Sequence, residues 1–422
     1  MDLLIKKVKI IDANSQHHQS VCDVLIEKGI IQKIAKNISK EQIQTLELKD
    51  LHLSNGWIDL NANIQDPGYE EKEDLNSGIK SAAAGGFTRV ALSPSTLPTR
   101  DSKTQIEYIL TKAKNKIVEV FAYGNISKNQ EGKELAELSD MYSSGAVGFT
   151  DGKHPISNPN LMHRALLYAQ AFNGLIISFP YTQELSPEGV MNEGTHSTLL
   201  GLKGIPALAE ELMVARDLYL LEHTAGRLHF ASVSSPTSID LIQKAKSKGL
   251  NVSCALPSYL LLLDDSNLKD FDSRLKTLPP LREKATVKKL NQLVKNGSIK
   301  ALCSDHWPQD IDSKMKEFDY ADFGIINLQT AFAVANTALS STVDLTAIIE
   351  LFTSGPADIL GISNHPIEEG APANLTLFQP NEGFTLEKKA ILSKSKNSPF
   401  IGKKLTGRVI GIVNRNKIEL NN

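Results

Sequence analysis

The pattern of apolar and polar positions changes rhythm twice along this chain. Up to about residue 55 the apolar runs are short and strand-like: Leu3-Leu4-Ile5, Val8-Lys9-Ile10-Ile11, Asp23-Val24-Leu25-Ile26 and Ile30-Ile31-Gln32-Lys33-Ile34. Turn formers interrupt them at Asp12-Ala13-Asn14 and Glu27-Lys28-Gly29. The middle of the chain alternates apolar runs with helical patterns. Strands are predicted over 57–63, 89–92, 117–122, 146–150, 175–179, 228–233, 251–255 and 299–304. Amphipathic helices are predicted over 75–84, 104–112, 160–171, 205–222, 238–247 and 284–294. Continuous apolar strands of this kind belong to a parallel sheet covered on both faces. Eight such β/α units close naturally into a barrel at about 250 residues or more. After residue 364 the strand-and-turn texture returns, most clearly over 373–378 and 405–413. The fold class expected is therefore α/β: a (β/α)8 TIM-like barrel over 56–364, beside a small β-sandwich domain assembled from 1–55 and 365–422.

Composition narrows the function more than the fold. The chain has 422 residues, 41% apolar and 22% charged, with a formal net charge of −2. Such a balance provides no global attraction to nucleic acid or anionic membrane, so neither is an expected partner. Cys22, Cys254 and Cys303 are far apart and odd in number, which points to a reducing, cytoplasmic setting. The N-terminal residues lack the ordered regions of a signal peptide. No run approaches the ~18 apolar residues of a membrane span.

In a barrel of this kind the chemistry sits at the C-terminal ends of the strands. That rule selects Asn61 and Asn63 after the first strand, Ser95 after the second, Asp151 after the fourth and Phe179 after the fifth. It adds Ser232 on the sixth and Asp305-His306 after the eighth. Residues i and i+2 of a strand share a face, so Asn61 and Asn63 are spaced to grip one ion, but neutral amides are poor Zn²⁺ ligands.

Specific strings carry a resemblance. Asp66-Pro67-Gly68-Tyr69-Glu70-Glu71-Lys72-Glu73-Asp74-Leu75-Asn76-Ser77-Gly78 and Ala82-Ala83-Ala84-Gly85-Gly86-Phe87-Thr88 are the most specific. Met191-Asn192-Glu193-Gly194, Gly201-Leu202-Lys203-Gly204-Ile205-Pro206, Pro279-Pro280-Leu281-Arg282, Ser304-Asp305-His306, Pro356-Ala357-Asp358-Ile359-Leu360-Gly361 and Ser393-Lys394-Ser395-Lys396-Asn397-Ser398-Pro399-Phe400 extend it to the end of the chain. The chain resembles the dihydroorotases of the amidohydrolase superfamily, the longer type found with bacterial and multifunctional pyrimidine enzymes. The resemblance implies the metal-dependent hydrolase type of barrel and, in active members, a binuclear zinc site. It also implies that this chain departs from the family at that site. Asn61 and Asn63 stand at the His-x-His pair, Phe179 at the strand-five histidine and Ser232 at the strand-six histidine. Asp151 remains at the bridging position and Asp305 at the position of metal ligand and general base. The substrate-pocket positions hold Gln65 for arginine, Ser95 and Leu278 for asparagines, His306, and Gln309 for the last histidine of the Asp-His-Ala-Pro-His string. Glutamine cannot replace a bidentate arginine clamp on a carboxylate.

Zinc lowers the pKa of bound water from ~15.7 to ~7, worth at most about 12 kcal/mol of nucleophile preparation at ~1.36 kcal/mol per unit. A lone general base recovers only about 10²–10⁴-fold. The expectation is thus no resident metal or cofactor, and a catalytically inactive dihydroorotase homologue acting as a scaffold or partner subunit. Candidate partners are a second copy in a homodimer, aspartate carbamoyltransferase, or an active dihydroorotase. Two alternatives stand beside it. One is a living cyclic amidohydrolase using Asp305 as base, with His154 or His306 assisting. The other is a metal-free module binding a small metabolite, with Phe179 and Trp307 supplying apolar surface. A mononuclear metal rebuilt on Asp151 and Asp305 would need Asp59, His229 or His306, and His229 points away because it lies three residues from Ser232. Asp59 is read as orienting the strand end, Cys303 as a core residue, Gly85-Gly86 as close backbone packing or a turn, His17-His18 as an exposed loop pair and His154 as a surface residue near the pocket.

Overall fold

The computed structural model describes residues 2–421. Seven parallel strands follow one another in chain order around a curled sheet: Trp57–Ala62, Phe87–Leu92, Glu119–Gly124, Ala146–Phe149, Ile176–Ser178, Leu228–Phe230 and Val252–Cys254. The seventh continues into Leu256–Pro257, which pairs with the eighth strand, Leu302–Cys303. Just beyond it, His306 forms a parallel bridge with Ala62, so the last strand returns to the first. The expected barrel is therefore present, and the strands are shorter than their apolar runs. Helices cover its outside, among them Leu75–Ala84, Lys103–Ala113, Pro159–Gln170, Leu208–Thr224, Pro236–Ser247 and Lys284–Lys295.

Local chemistry explains several boundaries. Asp74 caps the first helix, its carboxylate accepting from the Asn76 and Ser77 amides. Asn158 does the same for the helix that opens with Pro159. The helix expected to begin at residue 205 begins at Leu208 instead, because Gly204–Ile205 pairs as a strand with Met191–Asn192 and Pro206 disfavours helix at the residue before it. Leu138–Ser143 is a helix that sequence periodicity did not predict. At six residues it is too short to show a helical repeat.

Both chain ends meet in one eight-stranded sheet. Its order is Lys417–Leu420, Lys404–Asn414, Asn374–Thr385, His52–Asn55, Asp2–Ile11, Val21–Glu27 and Ile30–Ala35, with Gln44–Glu47 also on Asp2–Ile11. An aromatic cluster ties this sheet to the barrel. The Trp57 ring lies 4.5 Å from Phe332, 5.4 Å from Phe378 and 5.8 Å from Phe352, centroid to centroid. Gly86 makes this packing possible: its φ is +90°, and a Cβ there would lie 2.5 Å from the Trp57 ring. Close backbone packing at Gly85-Gly86 is thus confirmed, and it anchors the strand that carries Asn61.

Candidate functional site

The first and eighth strands build the floor of the site. Asp59 is fully buried and accepts from the Ser304 amide (2.6 Å) and hydroxyl (2.7 Å), which locks the two strand ends together. Burial pushes its carboxyl up to about 6 despite those bonds. The strand-orienting reading of Asp59 therefore holds. The lock also sets the turn in which Asp305 adopts φ +49°, while Ser232 across the barrel sits at φ +56°. Left-handed backbone at non-glycine residues costs on the order of 1–3 kcal/mol and persists where surrounding contacts over-determine it.

Asp305 is the hub of those contacts. Its Oδ1 accepts from Asn61 Nδ2 (2.7 Å), Ser232 Oγ (2.8 Å) and Lys153 Nζ (2.7 Å). Its Oδ2 accepts from the Tyr259 hydroxyl at 2.8 Å. Burial and the Asp305 charge push the Tyr259 phenol well above its ordinary range, so it serves as a donor. Lys153 is the residue that sequence reasoning missed. Its ammonium also donates to the Leu278 carbonyl (2.7 Å) and Ser232 Oγ (3.4 Å), and lies over the rings of Phe179 and Trp307. The available signal was its place two residues beyond Asp151, on a loop at the barrel's C-terminal face. Nothing in the sequence marked Tyr259.

Asp151 does not join this cluster. It accepts from the Ile126 amide (2.8 Å), the Ser127 amide (3.0 Å) and the Ser127 hydroxyl. Burial pushes its carboxyl up to about 6. Asn63 donates to the His306 carbonyl at 3.3 Å. Phe179 packs in an apolar group with Leu278, Tyr181, Trp307 and Phe323. His229 bonds Ser253 on the neighbouring strand, and burial pushes it down to about 3. The reading that it points away from Ser232 is correct.

Above the floor lies an open cleft of about 760 Å³. Gln65, Ser95 and Gln309 line it, with Asn63, Lys153 and Trp307 below. Ser95 is bonded by Gln130, and Gln309 bridges Lys72 and the Phe323 carbonyl. Gln65 Oε1 has no hydrogen-bond partner among the described residues. Leu278 shapes the floor through its side chain and carbonyl. The assignment of His306 to the pocket needs correction. The backbone turn at Asp305 sends its fully buried ring the other way, to Glu73 at 3.4 Å and the Asn327 and Leu328 amides. His154, read as a surface residue near the pocket, is exposed and lines the cleft.

The donors present do not fit zinc. Two amides, a hydroxyl and a phenyl ring stand at the positions compared with imidazoles, and Asp151 is engaged elsewhere. Among the described residues, no three His, Cys, Asp or Glu side chains converge as a metal cradle. The three cysteines are free and buried.

The barrel with its terminal sheet is a fold shared with solved hydantoinases. The solved L-hydantoinase (dihydropyrimidinase) from Arthrobacter aurescens superposes with a TM-score of 0.87, covering 100% of this chain and 97% of that one at 20% identity. Sequence comparison is narrower. The profile of the family described as Dihydro-orotase-like matches residues 52–238. A protein named dihydroorotase from Geobacter metallireducens is 39% identical over 411 residues, 96% of each chain. Another so named, from Acetivibrio thermocellus, is 39% identical over 410 residues, again 96% of each. This chain belongs to the dihydroorotase-like family of cyclic amidohydrolases. No helix among the described residues is long and apolar enough to cross a membrane.

Proposed function

We propose that this chain is a family member that has given up metal-dependent ring hydrolysis and works as a partner subunit or scaffold in the setting of pyrimidine synthesis, in the cytoplasm. The carrying observation is the state of Asp305, the group that would take a proton: both its oxygens are engaged, one by an ammonium. A carboxylate held this way by four donors, one of them an ammonium, is stabilised in its charged form and is a weaker base toward water. Without a metal the shortfall in nucleophile preparation is up to about 12 kcal/mol, and general-base catalysis of about 10²–10⁴-fold leaves most of it standing. A partner role is supported by exposed large apolar side chains: Tyr320, 73% exposed, lines the cleft, and Ile311 and Met315, at the two ends of the short helix between Gln309 and Tyr320, are 65% and 77% exposed. Candidate occupants are a second copy, aspartate carbamoyltransferase or an active dihydroorotase.

A second reading is retained hydrolysis of a cyclic amide. Its support is the 39% identity to proteins named dihydroorotase and the open cleft lined by Lys153, the partner of Asp305. One experiment separates the two: ring opening of dihydroorotate by purified protein, with and without added zinc, together with light scattering of mixtures with each candidate partner. Turnover well above buffer overturns the first reading. Inertness, with a larger species in one mixture, supports it.

A further inference from the structure

We infer that Lys153 is the resident cation of this barrel: its ammonium fills the electrostatic place that a metal ion fills in metal-loaded relatives, and it closes the centre to divalent ions. This rests on the proposed metal-free reading and identifies what replaced the metal. The side chain is 7% exposed and its counter-ion Asp305 is 2% exposed. Elements far apart in sequence converge on it. The eighth strand's end brings the Asp305 carboxylate at 2.7 Å, and the loop before Pro279 brings the Leu278 carbonyl at 2.7 Å. The turn after the sixth strand brings Ser232 Oγ at 3.4 Å. Two aromatic faces complete the surround, Phe179 with its centroid at 4.6 Å and Trp307 at 5.7 Å.

Carboxylate, carbonyl and hydroxyl oxygens with aromatic faces make a set that selects a cation. Three oxygens match the three N–H donors of an ammonium. The same set explains the substitutions. Phenylalanine at position 179 would be useless to a metal, yet its ring face stabilises an ammonium. Serine at position 232 donates to Asp305 Oδ1 while also lying within reach of Nζ. A divalent ion placed on Asp305 Oδ1 would share its ligand oxygen with a like charge. Ser232 and Asp305, both left-handed in the backbone, bring their side chains together at this ammonium. Lys153 thus holds the fourth, fifth, sixth and eighth strand ends in register without a dissociable ion.

The test is removal of the ammonium and its return from solution. Lys153→Ala leaves space for n-propylammonium, which matches the deleted atoms. The variant is expected to melt about 5 °C or more below wild type. Millimolar n-propylammonium chloride should restore part of that loss, whereas 1-propanol or sodium chloride at equal concentration should not. Wild type should respond to none of these and, after incubation with zinc and desalting, retain well under one zinc per chain by elemental analysis. Equal responses to propanol and propylammonium, or a stoichiometric zinc in wild type, overturn the inference. If Lys153→Ala does not fold, Lys153→Met, which keeps the length and apolar contacts, decides: melting at the wild-type temperature overturns it, and a loss of several degrees supports it. Dihydroorotate turnover by zinc-free wild type alongside ammonium rescue would sink the proposed inactivity and leave Lys153 standing. An inert protein whose Lys153→Met variant is fully stable would do the reverse.

Discussion

Neutralising Asp305 distinguishes a structural counter-ion from a poised base by the sign of the stability change. Asp305→Asn keeps the shape and removes the charge. Wild-type Asp305 accepts four hydrogen bonds, from Asn61, Ser232, Lys153 and Tyr259. Its nearest cation is 7% exposed, so water cannot take over as counter-charge. Removing one partner of such a buried pair costs about 3–5 kcal/mol. The amide NH₂ also faces a donor, but that loss overlaps the pair figure and is not added to it. The folding equilibrium should therefore fall by roughly two to four powers of ten at ~1.4 kcal/mol per tenfold. Urea unfolding checks this, followed by circular dichroism and by the fluorescence of Trp57 and Trp307. Coincident transitions would license two-state treatment. A base maintained for catalysis behaves oppositely, because neutralising a strained functional group tends to be neutral or stabilising while abolishing activity. A variant within about 0.5 kcal/mol of wild type, or more stable, would refute the counter-ion argument.

Three further outcomes follow from the same geometry. His229 is pushed down to about 3, so it is neutral in the folded protein where the unfolded chain, near 6.5, binds a proton; stability from this site is lost as pH falls from about 6.5 toward 3, and His229→Gln should flatten the acid limb of a melting-temperature profile by up to ~1.4 kcal/mol per pH unit. Asp151, pushed up to about 6, loses a donor in Ser127→Ala; the raised pKa makes its ionised form unfavourable as pH rises above the unfolded value of 3.8, so the variant should lose about 1.5–3 kcal/mol at pH 8 and less at pH 4, and equal losses at both would show that the carboxylate is not the acceptor that matters. Trp57→Ala should cost about 3–5 kcal/mol by emptying the aromatic joint between barrel and terminal sheet, and an unfolding curve unchanged from wild type would show that the joint contributes nothing.

The barrel was readable because parallel strands buried on both faces leave continuous apolar runs, and the helices between them keep a 3.6-residue rhythm. Strand ends were less so: the 299–304 run yields only Leu302–Cys303, because pairing geometry rather than hydropathy ends a strand. Asn61, Asn63, Phe179 and Ser232 were visible as residue types. The turning of Asp151 toward Ser127 was not, since it depends on two amides supplied by another loop.

The sequence by itself determined the residue types at the strand ends, because an amide, a hydroxyl or a phenyl ring differs from imidazole whatever its surroundings. Only the tertiary structure decided what those residues gather around. Lys153 and Asp305 lie 152 residues apart, and a loop lysine is by default a solvated one. Barrel closure withdraws that ammonium from water and sets the Asp305 carboxylate against its charge.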